Sequence, residues 1–329
     1  MSESATPARD AELREALAGL RREIRSRFPS EPETASAAPS RQRRADAPRF
    51  DLSRLEKPLR SIRQRAATLG MREHAHETDD FGMDPEAVEA LRPWLDRLYD
   101  RYWRVEVEGL EALPEGPLLL VANRSGLLPW DGLMIAHAVE RARGARPRFA
   151  VADWLMAQPF AQPRLARIGA VRACPENALR LLRSGRSVVA FPEGARGATK
   201  PFRERYRVQR FGRGGAVRVA LEGGAPLVPV GVVGAEEAHP ILYKATGPAR
   251  ALGLPFLPVT PSFPWFGPLG ALPLPTKWRI HFGEPFALGQ LRPDALGDEL
   301  LLSRLSDELR VCVQELVDEA LRARPSVWG

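Results

Sequence analysis

Two stretches of this chain gather residue types that could do chemistry where a buried strand ends. In the first, Val121 to Asp131 (VANRSGLLPWD), the apolar run PLLL leads into Asn123, Arg124, Ser125 and Gly126, and then into the apolar pattern LMIAHAV. Strand, polar loop and helix in that order is how an α/β sheet presents reactive side chains at its strand ends. Arg124 has no lone pair to offer and stays protonated up to a pKa above about 12, so it cannot serve as a base. It can pair with Asp131 or clamp a phosphate bidentately. In the second stretch, Ser187 to Arg196 (SVVAFPEGAR), another strand opens onto a Pro-Glu-Gly turn that ends in Arg196.

Together these stretches resemble the first and third sequence blocks of the glycerolipid acyltransferase family, which moves a fatty acyl group from a thioester onto a glycerol hydroxyl. Gly169 to Arg172 (GAVR) and Leu227 to Val230 (LVPV) resemble its second and fourth blocks. The likeness runs from Arg104 to Phe286 and includes the FPEG, RERY and GAEE segments of a bacterial subgroup. It implies a His that takes the hydroxyl proton and an Asp that fixes its tautomer. Asp131 stands at the family's Asp position, but Arg124 stands at its His position, with six residues between them where most of the family has four.

The resemblance also implies that Glu193, Gly194 and Arg196 bind the phosphate or glycerol of the acceptor. An ordinary strand-ending turn would need only Pro and Gly. Arg172, at a strand end, is a second anion-binding candidate, with Arg203 and Arg205 behind it. Three readings of Arg124 stay open. The chain has lost its base and binds lipid or acyl thioester, or another group is the base, or the substrate chemistry differs. His137, one and a half turns into a helix, reads as a packed residue, whereas His239 in GAEEAHP follows a strand end and could face the site.

The elements that must position these residues alternate. Asp84 caps a helix with Pro85 in its first turn and Val88, Leu91, Leu95, Leu98 and Tyr102 on its buried stripe. Strands are expected at RVEVEG, at the run before Asn123, at FAVAD, GAVRA and SVVA, at PLVPVGVVG, and at KWRIHFG, which closes the sheet. Helices are expected after Trp130, over Trp154 to Ile168, Glu176 to Leu182, Gly214 to Leu221 and Glu299 to Arg322, with a long polar loop after FPEGAR. This rhythm predicts an α/β fold with a mostly parallel sheet flanked by helices and an N-terminal helical extension, and the resemblance implies that the sheet is of the glycerol-3-phosphate acyltransferase type.

At 329 residues the chain suits one α/β domain plus that extension. Residues 1–48 read as a flexible arm whose Leu13, Leu17, Leu20, Ile24 and Phe28 mark one amphipathic helix. Residues 49–103 read as a helical lead-in carrying Leu55, Leu59, Ile62 and Leu69, and 104–329 as the acyltransferase-like domain. His74, His76, Asp79 and Asp80 are metal-ligand types, but one short polar loop rarely closes a metal geometry, so they read as a structural or solvated loop.

Of 48 basic residues 44 are Arg, a skew closer to coding bias than to a selected surface, so the charge of +7 says little about partners. No nucleic-acid module is recognisable, and no nucleic-acid partner is expected. Still, Arg196 to Arg218 holds eight basic residues and one acid, Glu204, which suits the phosphates of a headgroup or of coenzyme A. Ala251 to Thr276 has no charge and seven prolines, so it cannot span a bilayer and either packs on the sheet or dips into a lipid interface. Cys174 and Cys312 have no disulfide or zinc spacing, and no secretory signal is read at the N-terminus.

The expectation is an O-acyltransferase of lipid biosynthesis with a glycerolipid acceptor and no cofactor, the donor being acyl-CoA or an acyl-carrier thioester. It would be cytoplasmic and peripheral on the inner face of the membrane. The alternative is a catalytically impaired lipid or acyl-thioester binding protein on the same fold.

Overall fold

The computed structural model describes residues 78–126, 128–245, 249, 256–288 and 293–329. The helices expected around Leu13 to Phe28 and Leu55 to Leu69, and His74 and His76, lie outside them. In chain order the strands are β1 (Glu106–Glu108), β2 (Leu119–Ala122), β3 (Arg148–Val151), β4 (Ala170–Arg172), β5 (Val188–Ala190), β6 (Leu227–Val233), β7 (Tyr243–Ala245), β8 (Leu257–Val259) and β9 (Arg279–Phe282). Seven of them form one sheet in the order β1-β9-β6-β2-β5-β3-β4, and β7 and β8 form a separate antiparallel pair. Every pairing in the large sheet is parallel except that of β6 with β9.

The helices are α1 (Pro85–Arg97), α2 (Trp130–Arg143), α3 (Asp153–Met156), α4 (Gln162–Arg167), α5 (Pro175–Arg183), α6 (Gly194–Ala198), α7 (Gly215–Gly223), α8 (Ala235–Ala238) and α9 (Glu299–Ala323). Successive side chains of a strand point to opposite faces, so a strand covered on both sides must be apolar throughout. β2 obeys this. Leu120 and Ala122 join a core with Leu95 of α1, Ile135 of α2 and Phe149, while Leu119 and Val121 join a second core with Leu181 of α5, Val217 of α7 and Leu309 and Val313 of α9. Each such side chain contributes about 1.5–3 kcal/mol by leaving water.

The first core also takes in Tyr99 and Trp103, and Trp103 stacks on Trp278 at 4.5 Å. The helix capped by Asp84, whose carboxylate accepts the Ala87 amide at 3.1 Å, is thus packed into the same core as the sheet. Asp79 accepts the amides of Phe81 and Met83 and is ion-paired with Arg148 and Arg186. Its carboxylate is held inside the fold by arginines.

Three local expectations are corrected. Trp154 to Ile168 is not one helix but α3 and α4 with turns between them, and Pro159 lies in that break, where its missing N–H removes a helical bond. KWRIHFG does not close the sheet, because β9 lies inside it, between β1 and β6. The loop expected after FPEGAR begins slightly later, since α6 carries the chain from Gly194 through Arg196 to Ala198.

The proline-rich segment divides: Phe256 is buried, while Trp265 and Phe266 are 75% and 68% exposed, and Leu269 and Leu272 are also exposed. Among the described residues no helix is long and apolar enough to cross a membrane. Cys174 and Cys312 are free thiols.

Candidate active site

β2 and β5 are adjacent and parallel, so their carboxyl ends deliver the Asn123–Asp131 loop and the Phe191–Arg196 turn to one edge of the sheet. Asn123 extends β2 by one side chain: its Nδ2 donates to Val232 O at 2.9 Å and its Oδ1 accepts the Val232 amide at 2.7 Å. This double bond to β6 fixes where the loop leaves the sheet.

Arg124 follows and is 4% exposed. Its Nη1 donates to Asp131 Oδ1 at 2.8 Å, its guanidinium lies 4.7 Å from the centre of the Phe191 ring, and its amide donates to Glu193 Oε1 at 2.6 Å. Asp131 stands in the first turn of α2, where the helix dipole favours a carboxylate. It also accepts the Ser125 amide at 2.9 Å and the Gly132 amide at 2.8 Å. Burial pushes the Asp131 carboxyl above its ordinary value, and the Arg124 charge and these amides pull it back. Asp131 is therefore bonded to the residue at position 124, and that residue is a buried guanidinium.

Glu193 is 3% exposed. Its second oxygen accepts the Gln209 amide at 2.7 Å, so both oxygens staple backbone from the two flanking loops instead of facing a ligand. Burial pushes its carboxyl up to about 7, against the pull of Lys200. Lys200 pairs with Glu236 at 2.5 Å and donates to Arg207 O at 2.9 Å, and burial raises Glu236 too. The Arg124 guanidinium thus faces Asp131, while Lys200 lies between Glu193 and Glu236. Gly197 of α6 allows this crowding, because a Cβ there would lie 2.7 Å from the Cβ atoms of Arg124 and Glu193.

Arg124, Asp131 and Glu193 are therefore brought together. Gly194, at a φ of 56°, turns the chain outward, and Arg196 is exposed on a cleft it shares with Arg210 and Arg213. Arg172 is not brought in. It ends the edge strand β4 with its side chain 63% exposed and forked onto Asp153 at 2.7 and 2.9 Å, which raises its own pKa. Arg205 lies over the rings of Phe202 and Tyr206, and Arg203 is exposed.

His137 is fully buried and bonded to Asp96 at 2.9 Å, and burial lowers its pKa. His239 does reach the site: it borders a cleft with Ser125, Gly126, Lys200 and Glu236, and on its other side an apolar cavity of ≈ 150 Å³ walled by Leu128, Ile241, Leu257 and Phe263. The Lys200–Glu236 pair went unnoticed in the sequence. Its signal is that Lys200 is one of only four lysines in an Arg-rich chain.

The acyltransferase family model matches residues 104–233. Among solved structures, that of PlsC, the 1-acyl-sn-glycerophosphate acyltransferase of Thermotoga maritima, aligns over 84% of this chain and 94% of its own at 19% identity, with a TM-score of 0.45. An uncharacterized protein of Mycobacterium tuberculosis is 40% identical over 257 residues, covering 77% of this chain and 72% of that one. One of Mycobacterium leprae is 39% identical over 282 residues, covering 83% and 77%. On the matched blocks and these relatives, the chain belongs to the acyltransferase family.

Proposed function

We propose that this acyltransferase moves a fatty acyl group from an acyl thioester to a hydroxyl of a lysophospholipid or neutral glycerolipid, in lipid biosynthesis, at the edge where the Asn123–Asp131 loop meets the Phe191–Arg196 turn. One observation carries the reading. An apolar cavity of ≈ 210 Å³, lined by Cys174, Ala190, Phe191 and Val219, adjoins that edge through Phe191, whose ring lies against the Arg124 guanidinium. An apolar chain in the cavity would bring its thioester to the polar edge.

In the reaction the acceptor oxygen attacks the thioester carbonyl, the thiol leaves, and the hydroxyl proton passes to a base. Arg124 cannot take that proton, so we assign it to His239, which borders the Ser125 cleft and whose imidazole can offer a ring-nitrogen lone pair. Arg124 and Asp131 then hold the loop. The apolar cavity beyond His239 suits the acceptor's own chain, and the exposed Trp265 and Phe266 suit a membrane surface, on the inner face and peripheral. A second reading, a lipid or acyl-thioester binder, is favoured by the Arg124–Asp131 pair, which fills the position of the family's base.

The discriminating measurement is acceptor-dependent thioester loss across acyl donors for the wild type, His239→Ala and Arg124→His. Turnover lost by at least about 10²-fold in His239→Ala and little changed in Arg124→His supports His239 as base. An inactive wild type that still binds acyl thioester and is rescued by Arg124→His supports the binder.

A further inference from the structure

Three segments meet at the site, and each follows a different strand. β2 delivers the Asn123–Asp131 loop, β5 the Phe191–Arg196 turn, and β6 the short helix α8 with His239 directly after it. β5 and β6 flank β2 on opposite sides, so no strand pairing sets the turn after β5 against α8. A helix of four residues has no stability of its own, and its place is set by what holds it.

Glu236 of α8 pairs with Lys200 at 2.5 Å, with the side chains 10% and 4% exposed. Lys200 stands just past α6, where its amide donates to Gly197 O at 3.2 Å and its Nζ also donates to Arg207 O at 2.9 Å. The other Glu236 oxygen accepts the Tyr206 amide at 2.5 Å, and Tyr206 adopts a φ of 65°, uncommon for a residue with a side chain. Beyond His239, the Phe202 amide donates to Ile241 O at 2.9 Å. Residues 200–206 therefore grip the chain at Glu236 and again at Ile241, on either side of His239 in sequence. Lys200, Glu236 and His239 all border the Ser125 cleft. Glu237, the next residue of α8, is bonded instead to Arg324 at 2.6 Å, in a pair as deeply buried that does not border this cleft.

Resting on the assignment of His239 as base, we propose that Lys200 is a positioning residue, which through its ion pair with Glu236 braces the turn after β5 against α8 and holds His239 at the Ser125 cleft. The Arg324–Glu237 pair anchors the same helix from outside the cleft and serves as the comparison.

The test follows the imidazole resonances of the full chain by NMR, with kcat and KM measured beside them. Among five histidines, His239 is identified by the signal missing from His239→Ala. Lys200→Met/Glu236→Gln removes both charges, strands neither, and keeps an acceptor for the Tyr206 amide, so the fold should survive. In this variant the His239 resonance is expected to move and kcat to fall by about 10- to 10²-fold, with KM little changed. Arg324→Met/Glu237→Gln is expected to leave that resonance in place. An unmoved His239 signal in the first variant overturns the proposal, and so does an equal movement in both, which would make the Lys200 pair one more structural anchor. Full turnover in His239→Ala would remove the base instead, while the resonance would still show whether Lys200 positions this residue.

Discussion

The Arg124 guanidinium lies 2.8 Å from the Asp131 carboxylate, with the two side chains 5% and 1% exposed. A buried pair is costly to break, since removing one partner strands the other charge out of water. Asp131→Ala is expected to destabilise the protein by about 3–5 kcal/mol in denaturant unfolding. A loss below about 1 kcal/mol would mean that water reaches Arg124 and that the pair does not hold the loop.

Glu193 makes stability depend on pH. Its carboxyl titrates at about 7 in the fold against 4.5 ordinarily, so between those values the folded chain holds a proton that the unfolded chain has released. The stabilisation is fully present below pH 4.5 and is lost as pH rises through 7, a fall of about 3 kcal/mol. Glu236 is raised as well, so the quantity to measure is the difference between wild type and Glu193→Gln. The variant should show the shallower decline over this window, and parallel curves would rule out Glu193 as the source.

Gly197→Ala tests the crowding around Arg124 and Glu193. Its Cβ must displace carbons that would lie 2.7 Å away, a strain of about 1–3 kcal/mol. Because the displaced atoms belong to both loops of the site, turnover should fall more steeply than stability. Unchanged kinetics in a destabilised protein would show that the spacing of these loops does not matter to the reaction.

The exposed Trp265 and Phe266 give a membrane prediction. Binding to anionic vesicles should weaken with salt, because the basic contribution is screened, and should weaken further in Trp265→Ala/Phe266→Ala, which removes the apolar contribution. Sedimentation with no vesicle binding by the wild type at low salt would remove the membrane from the account.

Much of the fold was legible because both faces of the sheet are covered, which forces apolar runs such as Leu118 to Ala122 and Leu227 to Val233. The neighbours of a strand were not. The alternating burial of β9 is visible in KWRIHFG, but nothing in that alternation says that it enters antiparallel between β1 and β6. In the site, the types and blocks of Arg124, Asp131 and Glu193 were readable, but the inward turn of Glu193 was not. A carboxylate in a turn looks the same in sequence whether it meets a ligand or two amides. The separation of Arg172 and the convergence of Arg210 and Arg213 on Arg196 likewise depend on strand order and on where a loop folds back. His239 was noticed only as a residue after a strand end, and its place beside Ser125 comes from α8 returning the chain toward the first loop.

β1 lies parallel to β9 with Glu106 opposite Arg279, partners 173 residues apart in sequence, and Trp103 stacks on Trp278 beside them. During translation, at about 5–20 residues per second, Trp103 and β1 therefore leave the ribosome roughly 10–35 s before their partners Trp278 and β9 exist. A nascent chain in that interval presents an open strand edge and an aromatic surface to every other protein in the cell. Ribosomes that stop ahead of Arg279 should release fragments fit for chaperones and proteases, not a smaller working enzyme.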